Sequence, residues 1–538
     1  MSTMRFAAIV VAVMTTAACS KATQSAGVGG SNPWTEPGVV RISFNTDVNS
    51  FDPIVAQLYA ENYVQEAIFS GLVKYDSSEN LVPDLATEVP SLENGGISKD
   101  GRSITYHLRR NAVWQDGVPV TSADVRFTYG LIMDPKNNSP VESTYARIER
   151  IDTPDPHTVV LRLREPFAPV LSQVFCVGGF GQIVPEHVLA HTTDLNRDPF
   201  NTHPVGSGAY MLARWDRGST IVLSANPRYF GGAPHVREID VEIIPNENTQ
   251  LVAMQSHQLD VATQARPSQI EAYRRIAGMH VIVAPTYLED FITLNLAHAP
   301  FDDVRVRRAL AMAIDRDRVA STAFNGTAVP ATSIMPPNNW AFDPDNDAPP
   351  FDPVGARRLL DEAGWVVGSD GVREKDGKRL SFEFIHTTST TGAAISEELQ
   401  SAWHDIGVDA QLRSVPRNVI VGQIEPAGTF DALLAGYGYD VDPDRSQLTE
   451  TRFIEPHGFN SARYSSADVD RWTEAANATY DRATRKKYYS LIQRRLNDDL
   501  PYIPLDWEQF VYGVSDDLRG FAPETVNSDF WNVQNWSI

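Results

Sequence analysis

Two stretches place carboxylates at alternate positions, as the opening of a calcium-binding loop does: Asp343-Pro344-Asp345-Asn346-Asp347 and Asp440-Val441-Asp442-Pro443-Asp444. Such a loop also needs Gly at its sixth position for a sharp turn and a bidentate Glu at its twelfth. Both stretches lack both residues, so they read as acidic turns. His187 and His191 stand four apart, the spacing of a two-His metal pair on one helix face. The plainer reading is a surface helix that opens after Pro185. Two cysteines, Cys19 and Cys176, cannot build a Cys-rich metal site. HExxH, GxxxxGK[ST] and GxSxG are all absent. Absence of these motifs does not exclude an enzyme, but nothing here calls for an enzyme, a metal or a cofactor.

The elements that would position a binding site alternate along the chain. Val39–Phe44, Ile104–Arg109, Thr158–Leu163, Ile221–Ser224 and Ile239–Ile244 read as strands. Helical spacing covers Tyr59–Phe69, Asp302–Ala313, Pro353–Ala363, Gly392–Asp405, Ser466–Ala478 and Arg482–Asn497. Thr121 or Ser122 caps a further helix, with Asp124 near its positive end. Gly117, Gly206 and Gly232 fit tight turns, and the Arg305–Arg308 cluster reads as a solvated face or a lobe contact. Alternation of this kind argues a mixed α/β architecture with crossover connections.

The chain has 538 residues, 42% of them apolar, and a formal charge of −22. That length suits about three domains at roughly 100–200 residues each. A surface so acidic is wrong for gripping phosphates, which excludes nucleic acid as a partner. Arg5 followed by the apolar run Phe6–Ala18 is too short to span a bilayer at about 20 residues and reads as a signal peptide. It closes on Thr16-Ala17-Ala18-Cys19, similar to a bacterial lipobox, with Thr16 in place of the usual Leu. Cys19 is therefore the expected lipidation site, and the Ser/Ala/Gly-rich stretch after it a tether. A plain secretory signal is the alternative. Cys176 sits in the apolar run Val170–Phe180 and reads as a small buried hydrophobe.

A set of segments carries a family resemblance. In order they are Leu81-Val82-Pro83-Asp84-Leu85-Ala86, Ser98-Lys99-Asp100-Gly101, Tyr106-His107-Leu108-Arg109-Arg110-Asn111 and Trp114-Gln115-Asp116-Gly117. There follow Pro119 to Tyr129, Pro204 to Tyr210, Asn226 to Gly232, Pro300 to Leu310 and Ala313-Ile314-Asp315-Arg316. In that order they resemble the bacterial extracellular solute-binding proteins of the oligopeptide, dipeptide and nickel group. The resemblance implies a two-lobed periplasmic-binding-protein fold of type II, with an inserted domain and a hinge. Residues 1–19 would be the signal peptide and 20–32 the tether. Lobe one would comprise 33–75, 205–290 and 510–538, the inserted domain 76–204, and lobe two 291–509. Closure of the lobes would capture a small solute, a short peptide above all, for an ABC-type import permease. The protein would be a monomer, held by its lipid at the cell surface or in the periplasm.

The resemblance also implies a site. Peptide-binding members set an acidic residue against the peptide's amino terminus, three positions after an aromatic. Tyr437-Gly438-Tyr439-Asp440 matches, with Tyr437 replacing the more usual Trp. Asp440 would anchor a cationic ligand end, and the backbone at Gly438 and Tyr439 would pair with an extended peptide. From lobe one the loop Ala56-Gln57-Leu58-Tyr59 would face the ligand, and Phe291 would line the pocket. Dipeptide binders hold the ligand carboxylate with an Arg before the lobe-two helix; the matching stretch, His386 to Gly392, contains none. Longer peptides and non-peptide ligands such as metal chelates, opines or sugars therefore stay open, as does a peptide-sensing receptor on the same scaffold.

Overall fold

The computed structural model describes residues 32–56, 58–178, 181–454, 458–523 and 529–538. Cys19 lies outside these residues, as do the signal region, most of the tether, and Gln57.

Two long strands organise the molecule. Met279–Leu294 and Tyr502–Ser515 run antiparallel to one another and belong to a single eleven-stranded sheet. At one end of the pair lie Val261–Ala262, Val39–Phe44, Glu238–Ile243, Thr220–Ala225 and Tyr210–Asp216, in that spatial order. At the other end lie Ala432–Gly438, Ser381–Thr387 and Asp409–Val415, in that spatial order. The sheet's two halves thus share only the crossing pair. Their register breaks where the halves meet: Pro285 pairs with Gln509 and Glu289 with Trp507, so three residues on one strand oppose one on the other. A bulge bends a strand and increases its twist, which turns one half of the sheet against the other.

Each half has its own core, because each amphipathic helix buries its apolar stripe against the nearer strands. Beside Ser381–Thr387, Trp403 of the Thr390–His404 helix is fully buried between Phe382 and Phe384, with ring centroids 5.6 and 5.1 Å away. Its Nε1 donates to the Leu310 carbonyl at 3.2 Å, tying in the helix Val304–Met312. Arg307 on that helix is buried rather than solvated: it donates to the carbonyls of Asp499 and Phe301 at 2.7 Å each. In the other half Trp536 is packed between Phe521 and Phe530.

Residues after Tyr75 form a separate three-stranded sheet, Ser103–His107, Thr158–Leu163 and Ile148–Asp155, all antiparallel. Thr121 caps the Ser122–Ile132 helix above it, and the Asp124 carboxylate accepts from the Thr121 N–H at 2.8 Å. Gly206 joins this region to the main sheet. A Cβ there would fall 1.9 Å from the Ile68 carbonyl oxygen, so close backbone approach, not a turn, demands the glycine. Cys176 is buried, and burial pushes its thiol well up, leaving an inert hydrophobe.

The residues with metal-like spacing have other partners. His187 lies in the four-residue helix Glu186–Leu189 and its Nε2 meets Asp116 at 2.7 Å; His191 falls beyond the helix. Asp343 accepts from Asp345 N–H and from Asn346, as a turn carboxylate does.

Candidate functional site

Two parallel strands, Ser381–Thr387 and Asp409–Val415, are in register to their last residues, Thr387 opposite Val415. Their carboxyl ends are therefore side by side, the place where open α/β sheets present ligand-binding loops. After Thr387 the chain leaves the sheet and turns into a helix. Ser389 caps that helix, its hydroxyl accepting from the Gly392 N–H at 3.0 Å. Past Val415 comes Arg417, within the same cavity wall.

This departure leaves the neighbouring strand with an open edge. Ala432–Gly438 pairs along its whole length with the crossing strand, from Leu294 opposite Ala432 to Leu288 opposite Gly438. On its other side only Ala432 and Leu433 are paired, with Phe384 and Ile385. Among the described residues no strand covers that edge from Leu434 to Gly438. A cavity of about 210 Å³ opens beside it, walled by Leu434, Ala435, Gly436, Tyr437 and the start of the Thr390–His404 helix. Tyr437 stacks on Phe291 at 5.7 Å and meets Phe459 edge-on at 6.3 Å. The Arg417 guanidinium donates to the Gly436 carbonyl at 3.3 Å.

Carboxylates from the crossing strands also line the cavity. Asp290 and Glu508, one from each crossing strand, both line it. Asp506 is the register partner of Asp290 and stands two residues from Glu508, so the three share one face of the sheet. Asp506 is fully buried, and among the described residues neither carboxylate oxygen has a hydrogen-bond partner. Burial pushes all three above the usual carboxylate range. Mutual repulsion adds to this for Asp290 and Asp506, while Arg417 opposes it at Asp290 and Glu508. On the sheet's other face burial pushes Glu289 up to about 8.

The motif residues divide between this cavity and its surroundings. Tyr437 lines it. Gly438 is exposed at the strand end. Tyr439 points elsewhere: its ring lies under the Arg445 guanidinium at 3.7 Å and near Trp507, while its N–H donates to the Tyr287 carbonyl at 3.0 Å. Asp440 follows, half-buried, accepting from the Val441 N–H at 2.6 Å, with the Tyr75 hydroxyl 3.5 Å away. Burial, then the nearby Asp442, pushes Asp440 up to about 7, against the Val441 N–H. Phe291 does not line the cavity. It is 1% exposed, in the core beneath Tyr437, because odd-numbered residues on that strand face away from Asp290. Ala56 is likewise buried, and Leu58 serves as the helix N-cap, its N–H held by Glu61. Neither lines the cavity. Tyr59 begins the helix Tyr59–Ile68.

Thr387, Ser389, Thr391 and Gly392, from the stretch without an Arg, line the cavity. The guanidinium at the cavity is that of Arg417, which opens the helical turn Arg417–Val419 and which the sequence reading missed. The signal was available: residues just past two adjacent parallel strands meet.

Known proteins resemble this chain over most of its length. The model for the middle region of the bacterial extracellular solute-binding proteins, family 5, matches residues 80–454. The chain belongs to this family. Protein XP55 of Streptomyces lividans is 31% identical over 459 residues, covering 85% of this chain and 82% of that protein. The oligopeptide-binding protein AppA of Bacillus subtilis is 25% identical over 512 residues, 93% of this chain and 90% of that one. Among solved structures, NikZ of Campylobacter jejuni in complex with Ni(L-His) superposes with a TM-score of 0.78. Its sequence is 25% identical, and the match covers 94% of this chain and all of that one. The protein is thus an extracellular solute-binding protein with the family's type II two-lobed architecture, in a family of binders rather than enzymes. No helix among the described residues is long and apolar enough to cross a membrane.

Proposed function

We propose that this protein captures short peptides outside the cytoplasm and delivers them to an ABC-type import permease. The observation that carries the reading is the open edge of Ala432–Gly438 beside the cavity. An extended peptide adds there as a strand, with main-chain hydrogen bonds giving affinity and the cavity receiving a side chain. Asp440, just past that edge, takes the peptide's ammonium group. Its half-buried, unpaired charge favours this: a cation in contact would restore the ionised form that burial disfavours.

The lobes of this reading are 33–75, 205–290 and 510–538 for the first and 291–509 for the second, with 76–204 inserted. The register break at residues 285–289, opposite 507–509, supports a hinge there. Contacts between the inserted part and the second lobe, such as Tyr480 Oη to the Gly101 carbonyl at 3.1 Å, would be made in closure. Cys19 carries the lipid that holds the protein, as a monomer, at the membrane.

Isothermal titration with tripeptides and pentapeptides tests the reading. Asp440→Ala is expected to weaken binding about tenfold to a hundredfold, the worth of a hydrogen bond to a charged group at roughly 1.5–3 kcal/mol. Unchanged affinity removes Asp440 from the site. Cys19→Ala is expected to move the protein from the membrane fraction to the soluble one. A second reading, a metal chelate as ligand, is favoured by the likeness to NikZ, solved with Ni(L-His); titration with that chelate checks it.

A further inference from the structure

The cavity beside the open edge has a charge that peptide backbone recognition does not require. Its lining contains two carboxylates from the crossing strands, Asp290 and Glu508, against one cation, Arg417. Asp506, fully buried and without a hydrogen-bond donor among the described residues, adds a third on the same face of the sheet. Its direction follows from the strand register. Ile503 opposes Ile292 and Asp506 opposes Asp290, so Leu505 is a bulged residue and Asp506 is brought onto the face that Asp290 and Glu508 present to the cavity.

A buried carboxylate without a donor costs several kcal/mol of lost solvation unless it takes up a proton or a cation offsets the charge. The protein supplies only part of that offset. Arg417 spends a hydrogen bond on the Gly436 carbonyl and makes no ion pair with Asp290 or Glu508 among the described residues. The nearest cation on the sheet's other face, Arg445, lies over the Tyr439 ring. Arg316 donates to the Pro504 carbonyl at 2.8 Å and, among the described residues, to no carboxylate. The three carboxylates do not converge on an ion either: among the described residues no group of three or more His, Cys, Asp or Glu is placed to hold a metal. Space of about 210 Å³ with hydroxyls on the helix side and aromatic Tyr437 and Phe459 at its walls suits a long aliphatic stem ending in a cation.

We infer that this cavity is a side-chain subsite selecting a basic residue, lysine or arginine, in the bound peptide, with Asp290, Asp506 and Glu508 as the counter-charge. The inference rests on the peptide reading and names the cargo: peptides with a basic side chain beside the Leu434–Gly438 edge. Asp290 and Glu508 contact the cation, and Asp506 acts behind them.

The test is a calorimetric scan of tripeptides carrying lysine, norleucine or glutamate at each position in turn on an alanine background. At one position lysine is expected to bind at least about tenfold tighter than norleucine, about 1.4 kcal/mol. Glutamate is expected to bind worst there. Glu508→Gln and Asp290→Asn, isosteric changes checked for folding by thermal melting, should each collapse the lysine-to-norleucine ratio toward one. No lysine preference at any position, a glutamate preference, or a ratio that survives both variants overturns the inference. Agmatine is titrated in parallel. If no peptide binds, the peptide reading fails and agmatine alone decides the cation site: binding weakened by Glu508→Gln upholds it, and no binding overturns it.

Discussion

Asp442 and Asp506 are both buried carboxylates in the same half of the molecule, and they are treated in opposite ways. Asp442 faces Arg485, which donates to both of its oxygens at 2.7 and 2.8 Å while stacking its guanidinium near Tyr489 and Trp340. Among the described residues Asp506 has no donor at either oxygen. A bidentate pair completes its own charge balance and holds elements together, here the 440–444 turn and the helix Arg482–Asp499. An unbalanced carboxylate stores a cost that a ligand can relieve. The first kind of acid is scaffold, and the second kind points to binding.

The largest way to break that contrast is Arg485→Leu. It leaves Asp442 charged and buried with only the Asp444 N–H as a donor, and is expected to cost about 3–5 kcal/mol in urea unfolding. A loss under about 1 kcal/mol would show that the pair is not structural. Asp506→Asn should go the other way. Removing an unpaired buried charge is expected to stabilise the ligand-free protein at pH 8 by about 1 kcal/mol, with the gain disappearing near pH 4. Destabilisation at pH 8 would mean that Asp506 is already satisfied.

The same logic fixes a pH trend for the whole protein. Burial raises Asp52 to about 7, Glu289 to about 8 and Asp529 to about 7. Each is about 4 in the unfolded chain. Between these values the folded state holds protons that the unfolded state has lost, so stability falls as pH rises. This contribution is full below about pH 4 and lost through about pH 7 to 8. Melting temperature is therefore expected to decline by several degrees from pH 5 to pH 8; a flat or rising profile contradicts the assignment. The smallest effect is local. A Cβ at residue 436 would meet Asp290 Oδ1 at 2.9 Å. Gly436→Ala should swing that carboxylate aside, reducing any lysine preference about two- to threefold with little change in melting temperature.

Much of the frame is legible in the sequence because it is local. Val39–Phe44 and Thr158–Leu163 show their alternation directly, and the helices from Tyr59, Pro353 and Arg482 begin where their patterns do. The two crossing strands are not legible. Met279–Leu294 is buried on both faces for half its length and half-exposed for the rest, so no single period runs through it. Tyr437 was read from its motif, and it lines the cavity. Arg417, Asp506 and Glu508 were not, because their meeting depends on register between segments far apart in sequence. Phe291 was misplaced by one strand face, which only the pairing with Ala435 decides.

The most direct measurement is to identify what the protein carries. A soluble form beginning after Cys19 would be purified without refolding, denatured, and its released ligand examined by mass spectrometry. Short peptides of mixed sequence, enriched in lysine or arginine, are the expected result. A single non-peptide compound or a metal chelate would contradict the peptide assignment while leaving the solute-binding family untouched.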